Sequence, residues 1–365
     1  MEALELRDPG GAFDRLEEWL RERGFFVPGG ERLAADLYLG YGLSQAIRRE
    51  EVAPPPEPCP ALPLLACALR PGHEVFQAVA EDCRIGTWEP TWTAGEYAGA
   101  IELVREAIAR GDVYQVNVVQ HLSAPFAGDP AAPAVRLAHL RGLHPAPCSG
   151  PGWTVVSASP ELFLSRRGRA LRTRPIKGTR PRGGASELSA SEKDAAEHVM
   201  IVDLERNDLS RICEPGSVRW PELMATRELA GVEHMVSTVE GTLREGVRLA
   251  QILEATFPGG SVTGAPKIAA VDLIAELEPV GRGASMGAIG VVRGNGDFEL
   301  ALTIRTFAIA DGRIHLWVGG GIVWDSDPAA EVEESWTKAR PLLEAIGASQ
   351  ATAAGTPRWA CSRSP

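Results

Sequence analysis

The order of the helical and extended patterns is the feature that most limits how this chain can fold. Extended segments come in runs, as at 153–176 and 285–323, rather than one at a time. Long helical patterns fall outside these runs, as at 187–212 and 248–257. A parallel doubly wound sheet would need strands and helices in strict alternation. The order therefore predicts an α+β fold with antiparallel sheets.

Two helices carry clear boundary or breaking signals. Thr93 and Glu96 have the spacing of a capping box, and Gly111 follows the apolar stripe that begins there. Near the carboxyl end, a helical pattern occupies 327–347 and contains Pro341. A proline inside a helix removes one backbone hydrogen bond, so we expect a kink or a split at this point.

The chain divides into three parts. Residues 1–94 form a short amino-terminal portion, which includes the proline-rich linker 53–63. The motifs that carry chemistry fall mainly within 95–347, the expected catalytic domain. The tail 348–365 is small and polar, and we expect it to be disordered.

Charge and composition exclude several classes of partner. The formal net charge is −11, whereas binding to phosphates needs a net basic face, so nucleic acid is not an expected partner. No apolar run reaches the roughly 18 residues of a membrane span, and the amino terminus lacks a signal-peptide pattern. The 6 cysteines are scattered without a CxxC pair. This is typical of a reduced, cytoplasmic chain without a zinc cluster.

Two pairs of carboxylates have the spacing of neighbours on a helix face. Asp194 and Glu197 form one pair, and Glu331 and Glu334 repeat the spacing. Two helices that each present such a pair could hold a hard divalent cation such as Mg²⁺, which favours oxygen ligands. The alternative is that both pairs lie on solvated helix faces, where acidic residues are common.

Three features suit an anionic ligand. The segment 259–267, GGSVTGAPK, is not a phosphate-binding P-loop, because Ala265 and Pro266 stand where a lysine is required. Its backbone N–H groups could still receive a carboxylate at a helix amino terminus. The glycines 319–321 allow similarly close backbone approach, with a tight turn as the alternative. Arg305 lies in an apolar segment, which predicts a strand position and a carboxylate partner from the protein or a ligand.

The stretch 173–183, TRPIKGTRPRG, contains one lysine among three arginines. A lysine is normally protonated near neutral pH and is then no nucleophile. Desolvation and neighbouring cations favour the neutral amine. Arg174, Arg180 and Arg182 could supply such a positive field around Lys177. An ordinary surface lysine is the alternative.

Several stretches together resemble the chorismate-utilising enzymes. In chain order they are YQVN (114–117), SASPELF (157–163), TRPIKGTRPRG (173–183), AEHVMIVDLERNDLSR (196–211), HMVSTVEG (234–241), FPGGSVTGAPK (257–267), ALTIRTF (301–307) and GGGIVWDSDPAAEVEES (319–335). The resemblance implies two large antiparallel sheets in a sandwich with helices packed outside. It also implies a cleft that binds chorismate together with Mg²⁺.

The resemblance implies a set of site residues in this chain. The metal ligands would be Glu197 and Glu334, with Glu331 alongside. The substrate-binding residues would be Arg305, Ser261, Gly320, Gln115 and Thr179. The catalytic residues would be Lys177, Glu161 and His234.

Lys177 distinguishes between branches of the resembled family. The aminodeoxychorismate synthase branch typically has lysine in its PIxGT motif, whereas anthranilate synthases typically have alanine. The implied route is covalent: the Lys177 amine attacks ring C2 as the 4-hydroxyl leaves, and ammonia then attacks C4 and displaces the lysine. Glu161 matches the acid that protonates the leaving hydroxyl, and His234 matches the histidine near the ring. Gln115 replaces a water-activating lysine of the isochorismate and salicylate synthases, which favours ammonia over water.

The expected function is therefore the amination of chorismate to 4-amino-4-deoxychorismate, for p-aminobenzoate and folate synthesis. No glutaminase motif is visible, so we expect ammonia from a separate glutamine amidotransferase subunit. An anthranilate synthase component I and a catalytically weak chorismate-binding subunit are the alternatives. Two departures matter: Ser285 replaces an aromatic residue and should open one wall of the pocket, and the missing LLES motif argues against tryptophan feedback.

Overall fold

The structure is a computed structural model that describes residues 2–49, 53–71, 82–181, 184, 192–229 and 232–347. Its helices are α1 (Ala12–Glu22), α2 (Ala94–Arg110), α3 (Ala132–Leu137), α4 (Glu192–Ser210), α5 (Leu249–Thr256), α6 (Lys267–Leu277) and α7 (Pro328–Ala345). Its strands are β1 (Ala3–Leu6), β2 (Leu33–Leu39), β3 (Leu65–Pro71), β4 (Cys83–Ile85), β5 (Glu89–Pro90), β6 (Gln115–Gly128), β7 (Cys148–Gly150), β8 (Trp153–Ser157), β9 (Leu162–Arg167), β10 (Ala170–Arg174), β11 (Ile176–Pro181), β12 (Arg219–Leu229), β13 (Val232–Thr242), β14 (Gly264–Ala265), β15 (Ala288–Arg293), β16 (Phe298–Leu302), β17 (Thr306–Ala310) and β18 (Arg313–Ile322). Within these ranges, no helix has both the length and the apolar character needed to cross a membrane.

The strands form two large sheets. Among the described residues, the first has 10 strands in the order β1-β3-β2-β15-β16-β9-β10-β13-β11, with β12 also paired to β13. In the same part of the chain, the second has 8 strands in the order β14-β6-β18-β17-β8-β7, with β4 and β5 also paired to β6. Neighbouring strands run antiparallel, as in the pairs β11–β13 and β6–β18. The predicted α+β class is confirmed.

The two faces of the second sheet contact different parts of the core. Successive residues of a strand point to opposite faces. Ala308 of β17 joins a large buried cluster that also contains Ile289 of the first sheet, so this face lies against the first sheet. Its neighbour Phe307 joins a second cluster with Leu342 of α7. Burial of each large apolar side chain contributes roughly 1.5–3 kcal/mol.

The amino-terminal strands are part of the first sheet. β2 pairs with β15, which places Asp36 opposite Val291. The portion before residue 95 therefore shares its sheet with strands from the carboxyl-terminal part of the chain. The domain division at residue 94 stays a prediction, and the tail 348–365 lies outside the described residues.

The two helices with sequence signals differ in how well those signals describe them. The backbone N–H of Glu96 donates to Thr93 Oγ1 at 3.2 Å, and the Thr93 N–H donates to the Glu96 carboxylate at 2.8 Å. Gly111 ends α2 at φ 81°, so both boundary signals are confirmed. Of the kink or split predicted at Pro341, the split is wrong, because α7 continues through this residue to its last turn, and the kink stays a prediction. The buried Leu342 anchors that turn to the second sheet, and such packing stabilises a helix more than local propensity does.

Candidate active site

Lys177 lies where β11 departs from regular pairing with β13. Its backbone is opposite Met235, whereas Thr179 is opposite His234, so the register shifts between them. Gly178, at φ 67°, adopts the left-handed conformation that accompanies this bulge. This conformation explains why a glycine follows the lysine. The Lys177 side chain is 12% exposed, so the alternative of an ordinary surface lysine does not hold.

The Lys177 amine contacts Glu197 of α4. Its Nζ donates to Glu197 Oε1 at 2.6 Å, and Gln115 Nε2 donates to the same oxygen at 2.6 Å. Burial alone would raise the pKa of Glu197. The charge and hydrogen bond of Lys177, with smaller effects of Lys338 and Gln115, instead hold this pKa below its ordinary value. Glu197 is therefore a carboxylate at neutral pH, and it forms an ion pair with Lys177.

None of the contacts described for Lys177 involves an arginine of the stretch 173–183. Arg174 acts on the pKa of Glu222, a residue of β12. The side chain of Arg180 and the whole of Arg182 lie outside the described residues. Activation of the amine by a positive field therefore stays a prediction. The amine must leave its carboxylate partner before it can act as a nucleophile.

Gln115 brings an unsatisfied acceptor into the site. Its Oε1 is buried, and nothing in the described part of the chain donates a hydrogen bond to it. A buried acceptor of this kind is costly unless a ligand or a water molecule satisfies it. The oxygen is therefore suited to receive an N–H or O–H group of a bound molecule.

Glu161 is a buried acid between β8 and β9. Its side chain is nearly inaccessible, at 5% exposure. Burial raises its pKa to about 7, against the lowering effects of the Ser261 hydrogen bond and the Lys177 charge. Ser261, which the resemblance places at a substrate carboxylate, donates from Oγ to Glu161 Oε1 at 2.7 Å. An acid with this pKa can hold and release a proton near neutral pH, as a general acid must.

His234 and Arg305 meet at the same site. Arg305 Nη2 lies 3.3 Å from His234 Nε2, and His234 Nδ1 lies 3.3 Å from the carbonyl oxygen of Gly178. Burial, and then the Arg305 charge, lower the pKa of His234 to about 4, so the ring is neutral at neutral pH. A proton on Nδ1 lets the ring donate to Gly178 and accept from Arg305.

Arg305 is not within a strand, and that part of its prediction is wrong. It lies between β16 and β17 at φ 49°. A left-handed residue cannot continue an extended strand. This turn directs the guanidinium toward His234 rather than along the sheet.

The glycines at the end of β18 lie against the predicted metal ligands. A methyl group at Gly320 would be 3.3 Å from Glu331 Oε2 and 3.7 Å from Glu334 Oε1. A methyl group at Gly321 would be 2.5 Å from Glu197 Oε1. The absence of side chains therefore allows carboxylates of α4 and α7 to approach the strand closely.

The predicted metal ligands are near neighbouring glycines but not in one closed cluster. Within the described ranges, no group of three or more His, Cys, Asp or Glu side chains is arranged to hold a metal ion. Glu331 Oε1 accepts from Ser326 Oγ at 2.7 Å, and Glu197 Oε1 is engaged by Lys177. Carboxylate oxygens are nevertheless the donors that Mg²⁺ favours. The residues present fit Mg²⁺ in the chemistry of their donor atoms, and their metal role stays a prediction.

Lys338 is a site residue that sequence reasoning missed. Its Nζ donates to the carbonyl oxygen of Gly319 at 2.8 Å and lies 2.8 Å from Glu334 Oε1. Residues four apart on a helix share a face. The spacing of Glu334 and Lys338 was therefore a usable signal.

Three remaining predicted positions have a limited description. The side chains of Thr179 and Asp194 lie outside the described residues, although the backbone of Thr179 pairs with His234. Ser285 is fully buried, and its Oγ donates to the Thr303 carbonyl oxygen at 3.4 Å. The openness of the pocket beside Ser285 stays a prediction.

Comparison with known proteins identifies the family of this chain. The profile of the chorismate binding enzyme family matches residues 61–344. Anthranilate synthase component 1 of Streptomyces coelicolor is 42% identical over 295 residues, which cover 77% of this chain and 57% of that protein. Aminodeoxychorismate synthase component 1 of Bacillus subtilis is 39% identical over 277 residues, which cover 73% and 58%. The chain thus spans a little over half the length of the curated relatives it matches.

A solved structure of a similar protein shares the fold of this chain. Anthranilate synthase component I from Streptococcus pneumoniae superposes with a TM-score of 0.81 at 26% identity. The match covers 93% of this chain and 89% of that chain. The family profile, the sequence relatives and the shared fold establish that this chain belongs to the chorismate binding enzyme family.

Proposed function

We propose that this chain aminates chorismate to 4-amino-4-deoxychorismate, as the synthase component of an aminodeoxychorismate synthase. The observation that carries the proposal is the Lys177 amine, which is largely withdrawn from solvent and 2.6 Å from Glu197. A covalent route needs a lysine in this place, close to an acid that can protonate the leaving group. Glu161 provides that acid, and its pKa responds to the Lys177 charge. The relative from Bacillus subtilis carries the corresponding name.

The route begins when Lys177 releases a proton to solvent and leaves its ion pair with Glu197. The amine forms a bond to ring C2, both ring double bonds shift by one position toward C4, and the bond from C4 to the hydroxyl oxygen breaks. Glu161 protonates the departing oxygen, which leaves as water. Ammonia then bonds to C4, both ring double bonds shift back, and the bond between C2 and Nζ breaks. The proton lost by the added ammonia restores Glu161, and the released Lys177 amine takes a proton back from solvent.

The other site residues bind and orient the reactants. Arg305 provides a positive charge for a substrate carboxylate, and the backbone near Gly320 allows a second carboxylate to approach closely. His234 accepts from Arg305 and thereby orients the guanidinium. The free Oε1 of Gln115 accepts an N–H of the incoming ammonia. Because an amide cannot deprotonate water, this residue favours amination over hydration.

Mg²⁺ is part of the proposal, held by Glu197 and Glu334 with Glu331 beside them. When bound, it offsets the charge of the ring carboxylate and orients the ring. The support is the hard oxygen donors of these carboxylates and their close approach to Gly320 and Gly321. We further propose that a separate glutamine amidotransferase supplies ammonia in the cytoplasm and that the product serves p-aminobenzoate and folate synthesis.

An anthranilate synthase component I is the second candidate. The observation in its favour is the 42% identity to the protein of that name from Streptomyces coelicolor. In that reaction ammonia adds at C2 and no lysine adduct forms. Lys177 weighs against this candidate, because in the proposed route its amine is the group that attacks C2. A catalytically weak chorismate-binding subunit is the third candidate.

One assay separates the three candidates. The purified chain is supplied with chorismate, Mg²⁺ and an ammonium salt, with and without an aminodeoxychorismate lyase. p-Aminobenzoate that forms only with the lyase supports the proposal. Fluorescent anthranilate without the lyase supports the second candidate. Absence of turnover, even with glutamine and an added amidotransferase, supports the third.

A further inference from the structure

The segment 259–267 is held at both ends by helix α4. Glu205 and Asp208 are three residues apart on this helix and share one face. Glu205 Oε1 accepts from the backbone N–H of Gly260 at 3.0 Å. At the other end, the Lys267 amine forms an ion pair with Asp208. The two acids therefore attach the start and the end of the segment to one helix.

The contact at Gly260 depends on close packing. A methyl group at Gly260 would lie 2.7 Å from Leu204 Cδ2 and 3.1 Å from Glu205 Oε1. A side chain at this position would therefore force Leu204 to move. Glu205 is 3% exposed, so its hydrogen bond with the Gly260 N–H lies inside the protein and not on the surface.

The next residue along the segment connects this contact to the site. Ser261 follows Gly260 directly, and its hydroxyl donates to Glu161 Oε1 at 2.7 Å. On its other side, Arg282 Nη1 donates to the Val262 carbonyl oxygen at 2.8 Å. Ser261 is therefore fixed between two anchored backbone groups, one of which Glu205 holds.

We propose that Glu205 is a positioning residue for Glu161. By accepting from the Gly260 N–H, it fixes the backbone from which Ser261 reaches the carboxyl group of Glu161. The proposal rests on the proposed function only for the role of Glu161 as the acid.

The charges around these residues agree with this arrangement. Burial, and then the Asp208 charge, raise the pKa of Glu205. Glu205 can therefore accept from Gly260 as a neutral acid, and a glutamine can replace it. The Ser261 hydrogen bond lowers the pKa of Glu161. If Ser261 moves away, the pKa of Glu161 must rise.

The test is the titration of Glu161 in variants of the whole chain. It is followed by infrared difference spectroscopy of the carboxyl band, with the Glu161→Gln form of each variant as the reference. Ser261→Ala should raise the midpoint by roughly 1 pH unit, the scale of one lost charge-assisted hydrogen bond. Glu205→Ala should raise it by a similar amount. The double variant should show no additional shift, because both changes remove the same contact.

Two further variants at Glu205 and one control complete the design. Glu205→Asp withdraws the carboxyl group from Gly260 but keeps a buried acid. If Glu205→Ala does not fold, the Glu161 midpoint in Glu205→Asp provides the test instead. Glu205→Gln keeps an acceptor oxygen and should bring the midpoint back toward the wild-type value. Asp203→Asn removes an acid of the same helix whose side chain is 65% exposed, and it should leave the titration unchanged.

The outcomes distinguish this proposal from the proposed function. A wild-type midpoint in both Glu205→Ala and Glu205→Asp overturns it, as does a double variant whose shift is the sum of the single shifts. The titration needs no turnover. If Glu161→Gln keeps full amination activity, the acid role in the proposed function fails, while the effect of Glu205 on Glu161 is still measured.

Discussion

Lys177 and Glu161 are suited to different tasks because their neighbours differ. Lys177 has a carboxylate partner in Glu197, which holds the amine as part of an ion pair. Glu161 has a hydroxyl donor and is enclosed, so burial dominates and raises its pKa to about 7. The charged amine is thus stabilised at one position and the protonated acid at a neighbouring one. Glu161 can donate a proton as it stands, whereas Lys177 must first leave its carboxylate partner.

Replacement of Lys177 should separate binding from chemistry. We expect Lys177→Ala and Lys177→Arg to lower the rate of amination by about 100-fold or more, the scale on which loss of a catalytic group acts. The arginine variant keeps the positive charge beside Glu197 but has no nucleophilic amine. Chorismate binding, measured by calorimetry, should remain in both variants. Full activity in Lys177→Arg would contradict the covalent route.

Glu334 should determine the magnesium requirement. A neutral amide binds a hard cation more weakly than a carboxylate does. Glu334→Gln should therefore shift the Mg²⁺ titration of activity to concentrations at least about tenfold higher. Glu333→Gln is the matched control, because Glu333 is 62% exposed and pairs with Arg340. Overlapping titrations for Glu334→Gln and Glu333→Gln would exclude the ligand role.

At the scale of elements, the end of β18 determines which side chains can meet. Its glycines leave space that helices α4 and α7 fill with carboxylates. The same strand pairs with β6, which places Gly321 opposite Asn117, two residues along β6 from Gln115. The end of β18 therefore lies beside the Gln115 amide and beside the carboxylates of α4 and α7. One of these carboxylates, Glu197, pairs with Lys177.

A methyl group at Gly321 should disrupt the site without unfolding the protein. It would overlap the Gln115 amide and lie 2.5 Å from Glu197 Oε1. We expect Gly321→Ala to lose most turnover while circular dichroism stays unchanged. Gly99→Ala on α2 is the control, because no atom lies within 4 Å of its methyl position and alanine favours helices. Normal turnover in Gly321→Ala would show that the close approach at Gly321 is not required.

At the scale of the whole molecule, buried titratable groups link stability to pH. Burial lowers the pKa of His121 to about 3 and of His144, His198, His234 and His315 to about 4. Unfolded histidine titrates near 6.5, so the unfolded chain binds more protons between these values. The linked stability is present above about pH 6.5 and is lost as pH falls toward 4. The raised pKa of Glu161 acts in the opposite direction, because its linked stability is lost as pH rises through about 7.

His144 allows this linkage to be measured away from the site. In His144→Gln, one titrating group is removed, so the unfolding free energy should fall less between pH 6.5 and pH 4, by up to about 3 kcal/mol. The measurement is chemical denaturation at a series of pH values. His139→Gln changes an exposed histidine and should follow the wild-type slope. An unchanged slope in His144→Gln would refute the linkage.

Local features of the fold could be predicted from the sequence, and features that depend on packing could not. The ends of α2 follow from contacts within one helical turn, so Thr93 and Gly111 were sufficient to locate them. Pro341 does not split α7, because the packing of Leu342 against the second sheet stabilises the last helical turn. The apolar neighbours of Arg305 indicated a strand, but they do not reveal that its backbone is left-handed.

The sequence by itself determined the family and which chemical groups the site can use, because motifs such as PIKGT and AEHVMIVDL specify residue types directly. Only the tertiary structure decided which groups meet. Gln115 and Glu197 are 82 residues apart in the chain, and Glu161 and Ser261 are 100 residues apart. Whether Ser261 faces a substrate or Glu161 depends on how the segment 259–267 packs on α4. Local patterns carry no information about that packing, because its energy comes from distant parts of the chain.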